Sequence, residues 1–186
     1  MPGILTILTG ALGFCCFAAF SWGVKGHFRR TGAMPAGMKL TSALSLAGFA
    51  WFIWHLTGGV SRAWPLVVAL FGVALGLFIW AVQATRRTPP TLAFDTDAPS
   101  FLVNHGPYRL VRHPFYLAYV MFWVATALAA QTPLAWGAPV VMTTLYYFAA
   151  RREERKFASS DLSAAYAAYQ AQAGMFLPRA SVWRAG

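Results

Sequence analysis

A short polar passage at residues 106–116, GPYRLVRHPFY, combines cationic side chains with residues that restrict the backbone. His113 precedes Pro114, which disfavours helical backbone and predicts an extended chain there. Pro114 suits the first position of a helix, where its missing N–H costs nothing. An extended segment leaves backbone donors and acceptors for a ligand, and the helix start adds partial positive charge. The passage, with Arg109 and Arg112, therefore predicts a ligand site beside a helix.

A second polar cluster, RREERK at residues 151–156, offers negative as well as positive charge. The passage and this cluster flank an apolar hairpin, so we expect its two ends to bring them together. Arginine or a helix start suits a carboxylate, while Glu153 and Glu154 suit an ammonium group. The pair therefore predicts a site for a zwitterionic ligand. The alternative is an ordinary basic anchor at the membrane, with Glu153 and Lys156 forming an i,i+3 surface pair.

The composition places the chain among membrane proteins, since 58% of its 186 residues are hydrophobic and only 11% are charged. The expected fold class is all-α, an integral membrane protein with about five transmembrane helices. The predicted spans are residues 4–24, 40–57, 63–83, 115–130 and 135–150. The last two reach roughly 24 Å against a hydrocarbon core of about 30 Å, which predicts a short final hairpin. Residues 151 to about 173 are expected to form a cytoplasmic C-terminal helix.

The basic residues predict the orientation. If the loops alternate sides across the predicted spans, all of the 15 lysines and arginines except Arg62 fall on one side. The positive-inside rule then places the N-terminus outside and both polar clusters on the cytoplasmic face. In a prokaryote the membrane would be the plasma or inner membrane. Contact with anionic membrane lipids accounts for the net charge of +10, so no nucleic-acid partner is expected.

The residues inside the predicted spans exclude several functions. His55 and the adjacent Cys15 and Cys16 are the only groups there that titrate in an ordinary range, which argues against a pump, a channel or a proton-coupled transporter. Adjacent cysteines indicate neither a disulfide framework nor a metal site, and no metal is expected. Gly72 and Gly76 form a GxxxG pair, which is typical of close helix approach. Chemistry is therefore expected on the cytoplasmic face.

The two polar clusters also carry a family resemblance. The first pattern is Leu102-Val103-x-x-Gly106-Pro107-Tyr108-Arg109-x-x-Arg112-His113-Pro114-x-Tyr116. The second pattern is Glu153-Glu154, then Tyr166-x-x-Tyr169, then Phe176-Leu177-Pro178. Together they resemble the signature of the isoprenylcysteine carboxyl methyltransferase family, and phospholipid N-methyltransferases are similar in the same region. The resemblance covers residues 102–178.

The resemblance implies an all-helical membrane methyltransferase that uses S-adenosylmethionine. The cofactor-binding residues that it implies, with the adjacent His105 added, are His105, Gly106, Pro107, Tyr108, Arg112, His113, Pro114, Tyr116, Glu153 and Glu154. The candidate catalytic residues are His113, Glu154, Arg151 and Arg152. His113 or Glu154 would serve as base for an amine or phenol acceptor, and Arg151 or Arg152 would meet an acceptor carboxylate. Residues 1–101 and 102–186 are expected to form one integrated domain.

The methyl acceptor stays open at this point. The expected partner is a lipophilic small molecule or a lipid, such as the carboxylate of an isoprenylcysteine-like compound or another small lipophilic nucleophile. Leu162-Ser163 and Met175 depart from the family pattern. These departures do not affect the expected cofactor, but they leave the identity of the acceptor undetermined. The alternatives are a phospholipid amine acceptor, an NADPH-dependent sterol-type reductase, or a membrane scaffold without activity.

Overall fold

A computed structural model describes residues 2–29, 32–59, 61–91, 93–94 and 99–179. The regular secondary structure of this part of the chain is helical, with two isolated β-bridges and no strand. The helices are α1 (Pro2–Trp22), α2 (Ala36–Leu56), α3 (Trp64–Ala84), α4 (Pro114–Ala130), α5 (Gly137–Ala158) and α6 (Ser163–Gln172). The predicted all-α class is therefore confirmed.

Three helices are long and apolar enough to cross a membrane, and they correspond to the first three predicted spans. They cover Gly3–His27, Ala36–Leu56 and Trp64–Ala84. The first consists of α1 and a π-helical turn, Gly23–His27. Helix α4 is apolar but shorter, at 17 residues. The membrane location therefore rests on α1, α2 and α3.

Helices α4 and α5 form the predicted hairpin, but α5 is longer than expected. Gln131 adopts a left-handed conformation (φ 56°) and a 3-10 turn, Pro133–Trp136, leads into α5. The prediction of one separate helix from residue 151 to about 173 was wrong: charged residues with good helix propensity continue α5 to Ala158, and α6 begins only at Ser163. Helix α5 ends where the Ser159 hydroxyl bonds back to the carbonyl of Arg155. Consequently the two glutamates lie on the same helix as the apolar hairpin.

Helix α4 lies at the centre of the fold. Eleven of its 17 residues are buried, and it packs chiefly against α3. Buried phenylalanines from three helices meet there: Phe52, Phe71, Phe78 and Phe122. By contrast, α1, α2 and α3 expose large apolar side chains on their outer faces, which suits contact with lipid. Helix α4 is therefore enclosed by its neighbours, whereas α5 also exposes apolar side chains such as Val140 and Phe148.

Close ring packing occurs at glycines other than the expected pair. A Cβ at Gly13 would lie 2.9 Å from the Phe52 ring, and one at Gly23 would lie 2.8 Å from the Phe78 ring. A Cβ built at Gly72 or Gly76 would meet no atom of another segment within 4 Å in the described part of the chain. The GxxxG pair therefore does not mediate helix packing within this protein. Instead, Gly13 of α1 and Gly23 of the π-helical turn leave room for two core aromatic rings.

Candidate functional site

The passage at residues 106–116 begins with a tight turn against the end of α3. Residues Gly106–Arg109 form a 3-10 turn, and Gly106 has φ +60°, a conformation that favours glycine. A Cβ there would also lie 3.0 Å from the Cβ of Ala84. His105 contacts the same helix end, with its Nε2 2.9 Å from the Ala84 carbonyl oxygen. The glycine therefore lets the passage start directly at α3.

The extended stretch before α4 pairs with the chain after α6. The Arg112 N–H donates to the Gly174 carbonyl at 2.7 Å, and the His113 N–H donates to the Met175 carbonyl at 3.2 Å. The Gly174 N–H in turn donates to the Leu110 carbonyl at 3.3 Å. Val111 forms a β-bridge with Gly174, but His113 has φ −128° and ψ 65°, which departs from the expected extended geometry. The expectation that these backbone groups are left for a ligand was also wrong. They fasten the tail of the chain to the passage.

Gly174 is required by the same arrangement. A Cβ on Gly174 would lie 1.7 Å from the carbonyl oxygen of Leu177, a distance that no side chain tolerates. Nearby, the Tyr169 hydroxyl donates to the Tyr108 carbonyl at 2.7 Å. The tail therefore turns back on itself and holds the passage from one side while α3 holds it from the other.

The two polar clusters come together as predicted. Arg112 Nη2 lies 2.8 Å from Glu154 Oε1, and Arg112 Nη1 donates to the Ala173 carbonyl at 2.6 Å. His113 Nε2 lies 3.2 Å from the same Glu154 oxygen, and its Nδ1 lies 3.6 Å from Glu153 Oε2. On the other side, the Tyr116 hydroxyl donates to Glu153 Oε1. His113 thus bridges two adjacent glutamates on α5.

The network shifts the pKa of its members in opposite directions. Burial disfavours the imidazolium of His113, but its hydrogen bonds to Glu153 and Glu154 outweigh burial and raise its pKa above 6.5. Burial likewise disfavours the Glu154 carboxylate, yet hydrogen bonds from His113 and Arg112 lower its pKa to about 2. The arrangement therefore favours the protonated form of His113 between the two carboxylates.

A cavity of about 510 Å³ lies against this network. Its polar end is formed by Arg112, His113, Tyr116 and Glu153. Its apolar end is formed by residues of α1 and α2 together with the inner faces of α4 and α5, among them Phe17, Phe20, Ser42, Ser45, Leu46, Tyr119, Phe122, Trp123 and Tyr146. One space therefore joins charged groups to a region walled mainly by aromatic and aliphatic side chains.

The residues proposed from sequence fall into three positions. Those that line the cavity are Tyr108, Arg112, His113, Pro114, Tyr116 and Glu153. Glu154 is buried behind them, with 6% of its side chain exposed, and bonds to Arg112 and His113. The others lie away from the cavity lining: His105, Gly106 and Pro107 at the end of α3, and Arg151 and Arg152 exposed on α5.

Sequence reasoning missed the contribution of the first two helices and the linker. Lys25, on the π-helical turn, lines the cavity, as do Ser42 and Ser45 on α2. Phe94 from the linker also lines it, and its ring packs so closely on Gly37 that a Cβ there would lie 2.8 Å away. The i,i+3 spacing of two serines within an apolar helix was the available signal, because it marks one polar face.

The fold and the cavity define a helical membrane protein with a site for one polar and one lipophilic molecule. The phospholipid methyltransferase family model matches residues 64–163, just over half of the chain, and the protein belongs to this family. The match starts at α3, earlier than the expected resemblance at residue 102, and ends before the Tyr-x-x-Tyr pair. Searches of curated proteins and of solved structures found no match. The family supports membrane methyltransferase activity.

Proposed function

We propose that this protein transfers a methyl group from S-adenosylmethionine to a lipophilic acceptor within the membrane. The observation that carries the proposal is the cavity, which joins the charged polar end to the apolar end. A water-soluble cofactor and a lipophilic acceptor must meet in one place for methyl transfer, and this cavity offers both environments. The family match supports the reaction class.

The donor set at the polar end fits the cofactor. S-adenosylmethionine carries an ammonium group, a carboxylate and a cationic sulfur, and it supplies a methyl group activated for direct displacement. Glu153, with 34% of its side chain exposed, offers a carboxylate to the ammonium group. Tyr108, Tyr116, Tyr166 and Tyr169 also line the cavity, and aromatic rings stabilise cations. We propose that the residues lining the cavity contact the cofactor. Glu154, His105, Gly106 and Pro107 would hold those lining residues in position.

The chain's own task is positioning and exclusion of water. A rigid polar end fixes the reacting groups in line, and the aromatic walls keep water from the reacting atoms. A carboxylate acceptor needs no base. An amine or phenol acceptor needs one, and Glu153 lines the cavity whereas Glu154 does not. His113, whose Nδ1 lies 3.6 Å from Glu153 Oε2, then orients Glu153. Arg151 and Arg152 remain candidates for an acceptor carboxylate at the surface of α5.

We further propose that α4 and α5 complete a five-span arrangement with the N-terminus outside and the polar end of the cavity cytoplasmic. The support is the distribution of lysine and arginine. If the loops alternate sides across five spans, every lysine and arginine except Arg62 falls on the same side. In a prokaryote this places the protein in the plasma or inner membrane. A cytoplasmic polar end gives the cofactor direct access, and the acceptor enters from the bilayer.

A phospholipid amine is the second candidate acceptor. The family description favours it directly, since the matching family is that of phospholipid methyltransferases. An ammonium group must lose a proton before it attacks, so this acceptor requires a base at the polar end. Lipid extracts incubated with labelled S-adenosylmethionine distinguish this acceptor from a carboxylate by the mass and lability of the methylated product.

The direct test is calorimetry of the detergent-purified protein with S-adenosylhomocysteine. We expect saturable binding, and we expect Glu153→Gln to weaken it by about 10- to 100-fold because a charge-assisted hydrogen bond is lost. Arg109→Gln is the matched control, since Arg109 is an exposed cation of the same passage that does not line the cavity. Binding of NADPH instead would support the reductase, and binding of neither ligand would support the scaffold.

A further inference from the structure

The apolar end of the cavity contains a buried hydroxyl group with no hydrogen-bond partner. Tyr119 lines the cavity, and its ring packs edge-on against Phe20 at 4.8 Å and lies 5.5 Å from the Tyr146 ring. Its hydroxyl oxygen is buried and unpaired among the residues that the structure describes. Buried hydroxyls nearly always have a partner, because leaving one unpaired is costly. The group therefore suits a ligand that supplies the missing hydrogen bond.

Further polar groups lie beside Tyr119. The Trp123 Nε1–H donates to the Tyr146 hydroxyl at 3.2 Å, and Ser45 also interacts with that hydroxyl. Ser42 lines the cavity one helical turn away on α2. We call Ser42, Ser45, Tyr119, Trp123 and Tyr146 the inner niche. All five side chains are uncharged, so the inner niche offers hydrogen bonds without a counter-ion.

The inner niche lies deeper than the polar end. Tyr116, which bonds Glu153, precedes Tyr119 by three residues on α4, so their backbones are about 4.5 Å apart along the helix axis. Trp123 lies about 10 Å beyond Tyr116 by the same measure. Hydrogen-bonding groups thus continue into the membrane-facing part of the cavity after the charged groups end.

We propose that the inner niche binds an uncharged hydrogen-bonding head group on a long-chain lipophile, and that Tyr119 determines this selectivity. The inference rests on the proposed function, because it names the class of acceptor. An ionised group here would lose its water without gaining an opposite charge, whereas a hydroxyl or carbonyl gains the missing bond.

The test uses 1-dodecanol, dodecane and ionised dodecanoate as probes, added at fixed detergent concentration to protein labelled with 3-fluorotyrosine. Fluorine NMR reports each of the seven tyrosines, and the Tyr119 resonance is the one that Tyr119→Phe removes. We expect 1-dodecanol to shift this resonance and to bind about five- to tenfold more tightly than dodecane or dodecanoate. Tyr119→Phe should remove the preference, while Tyr147→Phe, at an exposed tyrosine outside the cavity, should keep it.

Three results would overturn the inference: no shift of the Tyr119 resonance, equal affinity for 1-dodecanol in the wild type and in Tyr119→Phe, or equal affinity for dodecanoate. Ser45→Ala is the second variant and should lower 1-dodecanol affinity about two- to threefold. None of these measurements requires methyl transfer. Loss of S-adenosylhomocysteine binding with the alcohol preference intact would therefore refute the proposed reaction alone, and the opposite result would refute the inner niche alone.

Discussion

The polar end and the apolar end of the cavity differ in how completely their polar groups are paired. At the polar end, His113 lies between two glutamates, and Arg112 contacts both Glu154 and a backbone carbonyl. The backbone around them is fixed by hydrogen bonds to the tail of the chain. At the apolar end, by contrast, aromatic and aliphatic walls dominate, and the Tyr119 hydroxyl has no hydrogen-bond partner among the described residues.

This difference separates a region built for fixed geometry from one built for adaptable contact. Methyl transfer needs accurate placement, which a fully paired ionic network provides because each side chain has one preferred position. A lipophilic chain needs surface without directional demands. The adjacent glutamates show the same division on a smaller scale, since Glu154 is 6% exposed and Glu153 is 34% exposed. We infer that Glu154 supports the structure and that Glu153 contacts ligand.

The largest expected effect is therefore on Glu154. Glu154→Gln should lower the free energy of unfolding by about 3–5 kcal/mol, because it leaves the buried Arg112 and His113 without their shared carboxylate. Glu153→Gln, at the preceding residue, is the matched control. It keeps an acceptor for the Tyr116 hydroxyl and should lower the free energy of unfolding by about 1 kcal/mol. Unfolding in sodium dodecyl sulfate, followed by tryptophan fluorescence, measures both. Equal losses in the two variants would contradict the division of roles.

The pH dependence of stability should sharpen the same comparison at the polar end. His113 has a raised pKa, so its contribution is fully present below pH 6.5 and is lost as the pH rises through its folded value. Glu154 has a pKa lowered from 4.5 to about 2, so its contribution is present above 4.5 and is lost as the pH falls toward 2. Stability should therefore be greatest between about pH 4.5 and pH 6.5, where both contributions are present.

The measurement is the thermal midpoint between pH 3 and pH 9, for the wild type and for His113→Asn. We expect the wild type to lose stability above pH 6.5 and His113→Asn to lack that alkaline decline. A change of 1 kcal/mol corresponds to about 2–4 °C in a protein of this size. A control substitution at exposed His105 should leave the decline in place. An unchanged alkaline decline in His113→Asn would show that another group titrates there.

Sequence reasoning located the polar end but not the apolar end, for a physical reason. The motif residues and Glu153-Glu154 flank a hairpin, and a hairpin brings its two ends together whatever the detailed packing. The pairing of residues 112 and 113 with 174 and 175 was not foreseeable, since it depends on how the tail folds back at Gly174. The helix rotations that aim Ser45 and Tyr119 at one cavity depend on tertiary packing, which local patterns do not encode.

The smallest expected effect lies at the apolar end, at Ser45. Ser45→Ala removes one neutral interaction with the Tyr146 hydroxyl, which keeps its hydrogen bond from Trp123. Interhelical hydrogen bonds of this kind in membranes contribute about 0.6 kcal/mol. The free energy of unfolding in sodium dodecyl sulfate should therefore fall by about that amount. Thr144→Ala, on an exposed face of α5, is the matched control for loss of a hydroxyl. A loss at Ser45 approaching that of Glu154→Gln would mean that the apolar end is as rigidly paired as the polar end, and its tolerance for varied lipophilic chains would then have no structural basis.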